Sequence, residues 1–164
     1  MESTAGGGLR GRLEATFWER HANPWSAGTR ILAYPVLMYA IYHRDPKLLA
    51  ATSAFFALNP VLFPRPARTD NWLSKIVLAE REWIDAGNGT MGLDYPNVLN
   101  VLNVPVTAYA FASALRRKPL GTLLGTLGVM VLKLWWTDAI VKEAGVTGDG
   151  PVEIPAVTAS SLDE

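Results

Sequence analysis

The chain has 164 residues, a length that suits a single domain. Fifteen Lys and Arg balance fifteen Asp and Glu, so the basic surplus of a nucleic-acid binder is missing. With no Cys and only two His, disulfides, thiolate metal sites, Cys nucleophiles and His-rich metal cages are all excluded.

Residues 1–8 are small and polar and read as a flexible N-terminus. Leu9, Leu13 and Phe17 follow at helical spacing beside Trp18, which predicts a short amphipathic helix. It lies either in the lipid headgroup region or packed on protein. Arg10, Arg12, Glu14, Glu19 and Arg20 interrupt this segment, so it lacks the apolar run of a cleaved signal. The first apolar span is therefore expected to persist in the mature chain.

Asn23-Pro24 marks a helix start, with Asn as cap and Pro in the first turn. The first span is predicted over about 25–42, kinked at Pro35, with Arg30 either snorkelling toward headgroups or paired internally. Arg44-Asp45-Pro46-Lys47 reads as a tight turn. The second span, about 48–63, ends at Asn59-Pro60 and Pro64-Arg65-Pro66 and forms a hairpin with the first. Thr69 and Asp70 are the expected caps of an amphipathic helix over about 70–86. Its apolar face carries Trp72, Ile76, Ala79 and Trp83, and its charged face Lys75, Glu80, Arg81, Glu82 and Asp85.

A Gly-rich loop follows and contains the glycosylation-like triplet Asn88-Gly89-Thr90. Tyr95 to Leu115 is a run of 21 uncharged residues, roughly 31 Å as a helix, about the thickness of a bilayer's hydrocarbon core. This third span opens at Pro96 and is interrupted by Pro105. The fourth, about 120–141, carries Gly121 and Gly125 in a GxxxG spacing that allows close helix approach. Residues 143–164 hold five acidic and no basic residues and read as a disordered acidic tail.

A soluble helix is apolar along one stripe, whereas these four segments are apolar nearly all round. The predicted fold is all-α: one membrane domain over 9–142, a four-span transmembrane bundle with one or two amphipathic interfacial helices. The alternative is a soluble bundle of unusually apolar helices. Four spans put both termini on one side. Seven Lys and Arg near the spans on that side, against five on the other, favour cytoplasmic termini in a cell membrane.

HANPWSAGTR at 21–30, LNPVLFPRP at 58–66, DNW at 70–72 and LAEREW at 78–83 occur in that order. In these motifs the chain resembles an uncharacterised family of small prokaryotic multi-pass membrane proteins, catalogued only as a domain of unknown function. The resemblance covers about residues 21–83 and the layout of the later spans. It implies a membrane location and no activity.

Three polar groups are candidate sites. His21, Asn23, Arg30, Asn59, Glu80, Arg81 and Glu82 are the polar residues of the motif segments. Arg30 is expected to pair with Glu80 or Glu82, pinning the amphipathic helix to the first hairpin. The alternatives are a headgroup or anion site, or an acid–base site using His21. Asn97, Asn100 and Asn103 fall on one helix face and either bond between helices or line a solute path. Lys133 is an intramembrane charge or a snorkelling one.

No nucleotide, metal or nucleophile motif is present, and no cofactor is expected. The primary functional expectation is a structural or accessory membrane protein contacting lipids. It associates with itself or with a membrane partner through the Gly face, and binds no nucleic acid. The alternatives are an oligomeric transporter or channel protomer with an Asn-lined path, and an enzyme acting on lipid headgroups.

Overall fold

Breaks in the charge pattern become helix ends. The computed structural model describes residues 16–145, and all their regular structure is helical. Six helices follow one another: α1, described over 16–21, α2 (Pro24–His43), α3 (Pro46–Leu62), α4 (Trp72–Asp85), α5 (Val98–Leu115) and α6 (Pro119–Glu143). The N-terminal segment, the start of the first amphipathic helix and the acidic tail beyond 145 lie outside the described residues.

Short polar side chains and prolines set the boundaries. Asn23 accepts from Trp25 N at 2.9 Å, with Pro24 opening α2. Asp45 accepts from both Lys47 N and Leu48 N at 3.0 Å, with Pro46 opening α3. These caps satisfy backbone donors that a helix start leaves unpaired. Arg44 ends α2 in the left-handed conformation at φ 56°, and the chain reverses at once into α3.

Two boundaries differ from expectation. Asn71, not Thr69 or Asp70, caps α4 by accepting from Ser74 N at 2.9 Å. The uncharged run beginning at Tyr95 becomes helical only at Val98.

Two antiparallel hairpins, α2–α3 and α5–α6, pack through α2 against α5 and α6, and α4 lies across α2 and α6. The larger core cluster is at the α4 end, where Ile76, Val77, Trp136 and Ile140 meet. A smaller one joins Met38 and Ile41 to Ala110 and Ala114. Lys75, expected on the charged face of α4, is buried instead, because residues 74–79 are enclosed on all sides.

The Gly face of α6, expected to serve association, is covered by α5. A Cβ at Gly125 would lie 2.7 Å from Ala110 Cα, and one at Gly121 2.8 Å from Ser113 Oγ.

Of the four expected spans, α5 and α6 are long and apolar enough to cross a membrane. Helix α3 has 17 residues, and α2 has 20 but carries Arg30 in its second turn.

Candidate functional site

Five helices each contribute a side chain to one cavity of about 210 Å³: His21 from α1, Arg30 from α2, Phe56 from α3, Glu80 from α4 and Lys133 from α6. Its polar residues come from segments far apart in sequence, so the site exists only once the bundle is assembled.

A hydrogen-bonded chain supports its rim. Arg30 Nη1 donates to His21 Nε2 at 2.8 Å. A guanidinium has only donors, so Nε2 accepts and the imidazole proton is assigned to Nδ1. That nitrogen donates to Ser26 Oγ at 3.1 Å, and Ser26 Oγ donates to Asn59 Oδ1 at 2.8 Å. Asn59 Nδ2 then donates to Thr29 Oγ1 at 3.1 Å, and the Thr29 hydroxyl donates to Trp25 O. Asn59 is fully buried, so these bonds offset the cost of placing an amide among apolar side chains.

Burial, and secondly the Arg30 charge, lower the His21 pKa from 6.5 to about 4. The ring is therefore neutral at pH 7. Both its nitrogens are engaged, so it offers no free lone pair for proton transfer.

Arg30 and Glu80 line the same cavity, but the ion-pair partner of Glu80 is Lys133, at 3.8 Å. Lys133 also sits 4.0 Å from the centroid of the buried Trp136 ring, a cation–π arrangement. The expected pinning of α4 thus runs through α6, while Arg30 ties α2 to α1.

The remaining candidates lie elsewhere. Asn23 Nδ2 donates to Pro64 O at 2.9 Å, fastening the start of α2 to the end of α3. Arg81 pairs with Asp85 at 3.5 Å along α4, and Glu82 is exposed. Asn97 Oδ1 accepts from Trp136 Nε1 at 3.4 Å. Asn100 Nδ2 donates to Thr90 O at 2.9 Å, and Asn103 Nδ2 donates to Val129 O at 3.4 Å. Each of the three asparagines is thus committed to a neighbouring segment.

Sequence reasoning missed Ser26, Thr29 and Tyr34. Small hydroxyl residues are common in helices and carry no signal alone, and a Tyr in an apolar span reads as packing. The Lys133–Glu80 pairing had a usable signal: Lys133 is the only charge in α6 before Asp138. Among the described residues, no group of His, Asp and Glu is arranged to hold a metal ion.

No curated protein and no solved structure matches the sequence. Residues 8–161 match the model of a family described only as of unknown function, DUF6653, and the chain belongs to that family.

Proposed function

We propose that this chain is an integral membrane protein in which α2, α3, α5 and α6 all cross the bilayer, with α4 at headgroup level and a structural or accessory role. One observation carries the reading. Leu120, Leu123, Leu124, Leu127 and Val131 recur at helical spacing on α6, and all are exposed. In a soluble bundle such a stripe faces the core; here it faces outward, as a lipid-facing surface does.

The other long helices support the same arrangement. Leu32 on α2 is 71% exposed. Leu58, Val61 and Leu62 on α3, and Leu102, Val104 and Tyr109 on α5, are exposed as well. Soluble monomers rarely expose large contiguous apolar patches, and these residues add to the α6 stripe. Arg44 and Lys47 at one hairpin turn, and Arg116 to Lys118 at the other, suit a polar boundary at one end of the bundle. The count of Lys and Arg favours cytoplasmic termini.

The test is fractionation. The expressed chain is expected to stay in the membrane pellet through an alkaline carbonate wash and to need detergent for release. Recovery of a monodisperse species from detergent-free cytosol contradicts the reading.

A further inference from the structure

The cavity between α2, α4 and α6 combines features that an ion pair alone does not explain. Arg30 and Lys133 bring two positive charges to it and Glu80 one negative charge, and His21 is neutral at pH 7. The lining is thus left one positive charge in excess. Water screens part of that surplus at the half-exposed Lys133 side chain, and an anion bound between Arg30 and Lys133 would balance it directly. Tyr34 also lines the cavity, and its Oη is buried with no hydrogen-bond partner among the described residues. A free hydroxyl donor beside surplus positive charge suits an anion.

Apolar side chains line the cavity on both sides of the charges. Ile31 and Tyr34 follow Arg30 into the bundle along α2. On α6, which runs the opposite way, Val129 and Met130 precede Lys133. Ala27 precedes Arg30, and Leu134 and Thr137 follow Lys133, so the charges lie part-way along the lining, with Ile31, Val129 and Met130 forming an apolar stretch that leads away from α4. The volume, about 210 Å³, exceeds the roughly 150 Å³ of a cavity that admits benzene and is below that of typical drug-sized pockets. It suits a headgroup and the first part of a chain. The Lys133 side chain is 47% exposed and that of Glu80 28%, so the rim is accessible from outside.

We infer that this cavity binds an anionic amphiphile, with a carboxylate or phosphate head held by Arg30, Lys133 and Tyr34 and an acyl chain running along Ile31, Phe56 and Met130. The inference rests on the membrane reading above, since lipid is the source of such a ligand. Glu80 competes with the ligand for Lys133, which makes the two residues opposite in effect.

The test uses the full chain in an uncharged detergent, with native mass spectrometry as the readout. The probes are hexadecanoate, hexadecyl phosphate, hexadecanol and inorganic phosphate. One molecule of either anionic amphiphile is expected to bind per chain, about tenfold or more tighter than hexadecanol, the scale of one charge-assisted hydrogen bond. Inorganic phosphate is expected to compete only weakly. Lys133→Gln is expected to weaken hexadecanoate about tenfold and Glu80→Gln to tighten it. Because the two variants break the same ion pair, a loss of folding moves both the same way, while the charge effect moves them apart.

Equal binding of hexadecanol overturns the anion part of the inference, and phosphate binding as tight as hexadecyl phosphate overturns the amphiphile part. Identical affinities in wild type and both variants overturn the site. Failure of the membrane reading is recorded separately, by release of the chain without detergent.

Discussion

His21 and Asn59 are buried polar side chains, each held by two hydrogen-bond partners that offset the cost of burial. Protonation of His21 would turn Nε2 into a donor facing the Arg30 donor. With a folded pKa near 4 and an unfolded value of 6.5, the unfolded chain binds more protons between those limits. Stability is therefore full above pH 6.5 and falls as the pH drops toward 4, by about 3 kcal/mol in total. Unfolding curves in detergent across that range are expected to show this loss, and His21→Asn to flatten it. Asn59→Leu preserves size but leaves Ser26 without its acceptor, at a cost of about 2–3 kcal/mol. His21, Asn23 and Arg30 were legible as polar residues of the HANPWSAGTR segment, and Asn59 as an amide within an apolar run. Their partners were not, since a bond between residues 33 positions apart, such as Ser26 to Asn59, depends on how the helices pack.

Proline and short polar caps made the helix ends readable. Asn23-Pro24, Asp45-Pro46 and Pro119 open helices as their chemistry requires. The burial of Lys75 was not readable, because periodicity reports a helix's own faces and not how deeply its neighbours enclose it. The GxxxG spacing announced close approach without naming the partner, which is α5. Gly125→Ala would press a methyl against the Ala110 backbone at 2.7 Å, an overpacking expected to lower stability by about 1–3 kcal/mol. At Gly28 the added methyl meets only Leu73 Cδ1, at 3.4 Å. There the gain in helix propensity is expected to prevail, raising stability by about 0.5 kcal/mol. Unfolding in detergent micelles checks both. A change of oligomeric state in Gly125→Ala, with unaltered monomer stability, would return the Gly face to an intermolecular role.

At the scale of the molecule, large apolar side chains cover the outside of the long helices as well as the core. Outward leucines on α6 and α5 sit between two charged ends, and α2 and α3 continue the same belt despite the short span of α3 and the Arg30 charge in α2. Arg30 is bonded to His21 and faces the cavity, so its charge need not meet acyl chains. Site-directed labelling tests this most directly, because the native chain contains no Cys and every signal comes from the introduced thiol. Leu32→Cys on α2, Ala54→Cys on α3, Val104→Cys on α5 and Val131→Cys on α6 lie within the belt, whereas Arg116→Cys and Glu82→Cys lie at its edges. In sealed bilayers permeabilised to reach both faces, the four belt positions are expected to resist a membrane-impermeant maleimide and to react only after denaturation, while the two edge positions react at once. Labelling of Leu32→Cys and Ala54→Cys in the same permeabilised bilayers as fast as Arg116→Cys would mean that α2 and α3 lie outside the lipid.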